Sequence, residues 1–336
     1  MSSIELKAKV AKIIESKSNA ELIIDILAIL EENSTTSKLR SIHALNKTWT
    51  HIVRRGDLKV TEEKDNKYNQ WIQEVFDQTC KKLITLISAD DTRVSDLALS
   101  TVVGFVVTTH EINNQGTYIP RALGSKLCRY LNIVIPFGAF CFVDNRNHWN
   151  GEEVSLLRSI LSVLLSENSD KSNQITRFQE YLEYIDVKQH VIHVTSKIVH
   201  TARSKGYSTK IFRANVMRLL ELIDFKDPKE IDESSTLLCK KAQYKYDHKT
   251  VQKVFSLLWE DFLKLNSSEV DLYKRMLIIL HDKVMPELLR PLMLTDFLVE
   301  SYNVGGSISL LALNGVFHLM AKYNLEYPDF YKVRII

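Results

Sequence analysis

Apolar residues return every three or four positions through most of the chain. Leu22, Ile23, Ile26, Leu27 and Leu30 form one such stripe, and Ile72, Val75, Phe76, Leu83, Leu86 and Ile87 form another. Val94, Leu97, Ala98, Thr101, Val102 and Phe105 follow the same rule, as do Phe212, Val216, Leu219, Leu220 and Ile223. Val251, Val254, Phe255, Leu258 and Phe262 make a further stripe, then Tyr273, Met276, Leu277, Leu280 and Val284. This period places the apolar side chains on one helical face, which each helix must bury against a neighbour. Polar breaks separate the stripes, at Ser34–Ser37, Asn113–Thr117, Asp144–Gly151, Ser166–Asn173, Asp227–Ser235 and Asn266–Glu269. Ser18 or Asn19, Asp90 or Asp91, and Ser208 or Thr209 stand where a side-chain oxygen can accept from the free amides of a first turn. The pattern predicts ten or more ordinary helices joined by short loops. Helix pairs recur at roughly forty residues, the HEAT-like period, so the expected fold is all-α, a HEAT-like α-solenoid of stacked helix pairs. Tyr118–Phe142 mixes β-branched and aromatic residues around Pro120 and Pro136 and is also read as helix.

Composition agrees. The 336 residues contain 10 glycines and 6 prolines, well under the usual glycine share of roughly 7%. Tight β-turns and phosphate-cradling loops both need glycine. Neither GxGxxG nor GxxxxGK occurs, and the only Gly-Gly pair is Gly305-Gly306. A nucleotide-binding fold is therefore disfavoured. The balance of 44 basic against 41 acidic residues makes no global case for nucleic acid. Cys80, Cys128, Cys141 and Cys239 contain no CxxC pair, fit a reducing compartment, and read as core residues. No apolar run reaches the roughly 20 residues that span a bilayer.

Candidate chemistry is sparse. His190 and His193, three apart, could converge on a metal. His200 lies seven further on, about 10 Å along a helix, too far to complete the same site. These are read as surface or partly buried histidines. His281-Asp282 is a lone dipeptide without the further ligands a metal hydrolase needs. The expectation is no catalytic site, no metal and no cofactor. Basic stretches are more informative. Asn33–Gly56 carries Lys38, Arg40, Lys47, Arg54 and Arg55, and Val187–Leu220 contains no acid at all. In the second, Lys197, Arg203, Lys205, Lys210 and Arg213 are candidates for contact with RNA phosphates or an acidic protein.

The most distinctive segment is Leu280–Lys332. Thr295 or Asp296 is placed to cap a helix, Gly305-Gly306 lets the chain bend, and a very apolar helix, Ile308–Met320, follows. That helix contains Asn314-Gly315, although glycine costs about 1 kcal/mol against alanine in a helix interior. Gly315 is therefore expected to admit a closely packed neighbour.

Four blocks, Leu294–Phe297, Ser301–Gly306, Leu310–Gly315 and Asn324–Tyr331, resemble the signature of the CCAAT-binding-factor-type domain shared by nucleolar complex proteins. The resemblance implies a non-enzymatic α-helical scaffold of the nucleus and nucleolus. It implies a role in small-subunit (pre-18S) rRNA processing and assembly, within a pre-ribosomal particle and paired with another assembly factor, nucleolar protein fourteen. No membrane and no small-molecule substrate is implied. It marks Asp296, Phe297, Tyr302, Gly305, Gly306, Asn314, Gly315, Asn324, Tyr327, Pro328, Asp329, Phe330 and Tyr331 as candidate partner-binding residues. Residues 1–265 then read as a helical repeat region, and residues 266–336 as the first part of the signature domain, continuous with it. Family members continue beyond this point, so the chain reads as a shortened version. The alternative is a generic helical-repeat adaptor that binds RNA or acidic proteins through residues 187–220.

Overall fold

In the computed structural model, residues 3–58, 67–113, 151–225, 247–265 and 269–326 are described. Every regular element among them is helical. The Tyr118–Phe142 segment lies outside the described residues, as do Cys128, Cys141 and Cys239.

The predicted stripes coincide with the helices Leu22–Ile29, Lys67–Leu86, Thr92–Asn113, Lys210–Leu222, His248–Lys264 and Val270–Ile279. Stops and starts follow local chemistry. Thr209 accepts from the amide of Phe212 at 3.1 Å, as its position before the stripe predicts. Thr209→Ala should cost about 1 kcal/mol, measured by denaturant titration, because one first-turn amide loses its partner. Asp91 likewise accepts from the amide of Arg93 at 3.0 Å. Two expected caps are placed differently. Ser16, not Ser18 or Asn19, caps a short 3-10 turn over Lys17–Asn19, and the Leu22–Ile29 helix follows from Glu21 with no side-chain cap. The hydroxyl of Thr295 donates back to the carbonyl of Leu292 at 2.7 Å, so it serves the end of the preceding turn. Neither it nor Asp296 caps the Thr295–Val304 helix.

The chain divides into two compact units. The described residues of the first lie within Met1–Val194. There the Thr35–Arg55 helix packs on Thr92–Asn113, Ser3–Glu15 and Leu22–Ile29, while Lys67–Leu86 and Gly151–Leu164 also pack on Thr92–Asn113. Trp49, Phe76 and Phe105 stack through the centre at ring separations of 4.9 and 5.5 Å. The indole of Trp49 is fully buried and donates to Thr79 Oγ1 at 3.1 Å, so its polar atom is satisfied. Cys80 is buried beside this cluster, and burial pushes its thiol pKa up, as expected for a core cysteine.

The second unit lies within Thr195–Ile231 and Asp247–Ile336. Phe255, Trp259 and Phe262 line one face of the His248–Lys264 helix at successive separations of 6.3 and 5.9 Å. The Val270–Ile279 helix packs on Lys210–Leu222 and on Gly306–Tyr323, and Thr295–Val304 packs along Gly306–Tyr323. A π-turn over Leu280–Val284 precedes Pro286, where the missing proline N–H already interrupts helical bonding. In both units helices pack on close neighbours in the chain. The class is all-α, and neighbour-on-neighbour packing is the arrangement from which helical-repeat solenoids are built.

Candidate docking face and family relationship

The Thr295–Val304 and Gly306–Tyr323 helices form a tight pair, and glycine makes the turn between them. Gly305 has φ 86° and Gly306 φ 59°, a region that strains any side chain with a Cβ. Gly305 alone separates the two helices, so no longer loop is available to relieve that strain. At the crossing, a Cβ on Gly315 would sit 2.7 Å from Leu298 Cδ2 and 3.1 Å from Cδ1. The glycine predicted to admit a close neighbour does so, and the neighbour is Leu298, which is 1% exposed.

Packing then sorts the marked residues. Tyr302 and Gly315 face inward. Phe297 is half-buried, with its ring 5.2 Å from that of Tyr273. The Tyr273 hydroxyl donates to Ser301 Oγ at 2.7 Å, while Ser301 donates to the carbonyl of Phe297. Asp296, Gly305, Gly306, Asn314 and Asn324 are exposed. Asn324 ends the last helix in the left-handed region at φ 54°, a conformation asparagine tolerates better than most residues. Tyr327, Pro328, Asp329, Phe330 and Tyr331 lie outside the described residues.

The sequence reading missed which face of the last helix is covered. Ala312, Gly315, Val316 and Leu319 are buried. On the other side, Leu310 and Phe317 are 55% and 57% exposed, seven residues apart in one outward row with Asn314. Val304, at 62%, is exposed at the end of the paired helix. A continuous hydrophobic run conceals this split, because both faces read as apolar.

The basic candidates also separate. Arg213 is buried, pairs with Glu269 at 2.8 Å and donates to the carbonyl of Ser208 at 2.7 Å. Arg203 pairs with Asp261, whose other carboxylate oxygen lies 2.8 Å from His200 Nδ1. These acids come from Asp261 and Glu269, far along the sequence from the acid-free stretch they neutralise. Lys197, Lys205 and Lys210 remain exposed. His190 is buried, and His193 Nδ1 lies 2.9 Å from its own helix's Gln189 carbonyl. His281 Nε2 is 3.3 Å from the neighbouring Asp282, and its ring lies 6.3 Å from that of His318. Among the described residues no three His, Cys, Asp or Glu side chains are grouped to hold a metal ion. No helix among them is long and apolar enough to cross a membrane.

No protein-family model matches the chain. Curated proteins do. Nucleolar complex protein 4 homolog B of Xenopus laevis is 32% identical over 354 residues, covering 98% of this chain and 60% of its own length. Homolog A of the same organism is 32% identical over 351 residues, with the same coverage. The Homo sapiens nucleolar complex protein 4 homolog is 28% identical over 350 residues, covering 97% of this chain. The chain thus spans about 60% of the length of the curated relatives it matches. The likeness is not confined to the Leu294–Tyr331 signature but runs from end to end of the sequence, and nucleolar localisation goes with it. By that likeness the chain is a relative of the nucleolar complex protein 4 homologues.

Proposed function

We propose that the chain is a non-enzymatic helical scaffold of nucleolar ribosome biogenesis. It acts in small-subunit (pre-18S) rRNA processing and assembly by binding a partner assembly factor, nucleolar protein fourteen, within a pre-ribosomal particle. The observation that carries the proposal is the uncovered apolar row of Leu310 and Phe317, flanked by Val304. It lies on the same helix pair that holds most of the family-signature residues. Exposed large apolar side chains clustered on one element suit protein docking, because covering them removes apolar area from water. The buried side of that pair, with Gly315 against Leu298, supports the row as a rigid ledge.

Affinity purification of the tagged chain from nuclear extract tests this. Small-subunit assembly factors and precursor rRNA should be recovered, and their absence overturns the proposal. In the double variant Leu310→Glu/Phe317→Glu, recovery of the partner should fall at least ten-fold with an unchanged melting temperature, since both side chains already face water. Undiminished recovery would move the docking face elsewhere.

A further inference from the structure

We propose that the outward face of the Thr35–Arg55 helix is a binding surface for the phosphate backbone of RNA. The name RNA rests on the functional reading above. The surface itself rests on independent geometry. The helix has 21 residues and not one acid. Its buried face is formed by Ser41, Ile42, Ala44, Leu45, Thr48, Trp49, Ile52 and Val53. The opposite face exposes Thr36, Arg40, His43, Lys47 and Arg54. Arg40 to Arg54 spans about 21 Å at 1.5 Å per residue, with a cation or imidazole at nearly every turn.

Partnering distinguishes this stripe from the other basic stretches. The side chains of Arg40, His43 and Lys47 make no ion pair or hydrogen bond with another described residue. Arg55, which sequence alone groups with them, is turned inward onto Asp57. The acids near the helix ends are largely engaged as well: Glu31 pairs with Lys82 at 2.7 Å, and Asp91 with Arg93 at 3.0 Å. In Val187–Leu220, by contrast, Arg203 and Arg213 are neutralised by Asp261 and Glu269.

An acidic protein would use the same charge, but the surface lacks what a protein interface needs. The core of such an interface is built on large apolar or aromatic anchors. None of the large exposed apolar side chains among the described residues belongs to this helix. A row of cations flanked by the hydroxyl of Thr36 suits phosphate oxygens, which take contacts from cations and hydroxyls alike. Such contacts read no bases, so binding should be indifferent to sequence and sensitive to salt.

The test uses the purified 336-residue chain alone, so it can fail without the pre-ribosomal assignment failing, and the reverse. Fluorescence anisotropy is followed with a labelled mixed-sequence single-stranded RNA over a sodium chloride titration, with a labelled polyglutamate peptide as the second probe. Arg40→Gln/Lys47→Gln should weaken RNA binding on the order of ten-fold. It should also flatten the slope of log affinity against log salt by about 1.4, two contacts at about 0.7 each for a single strand. Lys197→Gln/Lys210→Gln should leave that slope unchanged. The inference is overturned if the parent chain does not bind the RNA, or if the Arg40/Lys47 variant keeps the parental slope. It is also overturned if polyglutamate binding alone is lost. Both replaced side chains are exposed, so the melting temperature should not move; if it does, the single variant Lys47→Gln gives the reading, with a slope change of about 0.7.

Discussion

Replacing Gly315 by leucine should destabilise the second unit by about 2 kcal/mol, seen as a melting temperature several degrees lower. Even the first carbon of the new side chain would lie 2.7 Å from Leu298 Cδ2, and the leucine adds further carbons beyond it. Leu298 is 1% exposed, so a side chain as large as leucine pushes the two helices apart. Leucine recovers about 0.8 kcal/mol of helix propensity over glycine, which offsets only part of the cost. Alanine separates the two effects. Its single methyl meets only the far end of the Leu298 side chain, so Gly315→Ala should lie within about 1 kcal/mol of the parent. In a Leu298→Ala background the cost of Gly315→Leu should shrink, and the coupling from that double-mutant cycle would assign the effect to this contact. Additive costs would refute the assignment. Partner recovery should fall in Gly315→Leu as well, because the helix that carries Leu310 and Phe317 is displaced as a body.

Asp57→Asn is expected to cost more, about 3 kcal/mol, measured by denaturant titration at pH 7. Gly56, in the left-handed region at φ 84°, ends the Thr35–Arg55 helix and turns the chain back. This places the wholly buried Asp57 side chain among three donors. Arg55 Nε lies at 2.8 Å, the Tyr68 hydroxyl at 3.1 Å and Lys17 Nζ at 2.8 Å. Asparagine keeps the shape but removes the charge that compensates Arg55 and Lys17, and it turns an N–H toward a cluster of donors. Burial, the strongest single influence on the carboxyl, raises its pKa. The hydrogen bonds and charges of Arg55 and Lys17 together outweigh it and hold the group below the usual carboxylate range. A depressed native pKa means the unfolded chain takes up the proton first as pH falls. The stability Asp57 supplies is therefore present above the unfolded pKa, near 4, and is lost as pH drops through the native value. The difference between parent and variant should narrow below about pH 4. A constant difference down to the acid transition would show that the charge plays no part. Tyr68 stays a neutral donor throughout, since burial and the adjacent Asp57 charge push its phenol up to about 12.

Much of the fold was legible in the sequence because helices are local. The stripes from Leu22 to Val284, the cap at Thr209 and the turn at Gly305-Gly306 depend on residues within a few positions of one another. The same locality explains the misplaced caps. Ser16, Ser18 and Asn19 are all competent acceptors, and which one is used depends on how the Ser3–Glu15 helix ends. Gly315 was legible as a residue placed against propensity, but its contact with Leu298 was not.

The candidate surfaces were legible only as inventories. Sequence alone established an all-α chain, without phosphate-loop glycines, with an apolar terminal segment resembling nucleolar complex proteins and with two basic stretches. Tertiary structure decided which of those residues are available. Arg213 and Arg55 are drawn inward by Glu269 and Asp57, and Arg203 is paired with Asp261, while Arg40, His43 and Lys47 keep their charge or ring toward water. Likewise Val316 and Leu319 are covered while Leu310 and Phe317 are not. The reason is one of range: a helix period is set by neighbours three and four residues apart, whereas pairing and burial are set by side chains that only the packed chain brings together.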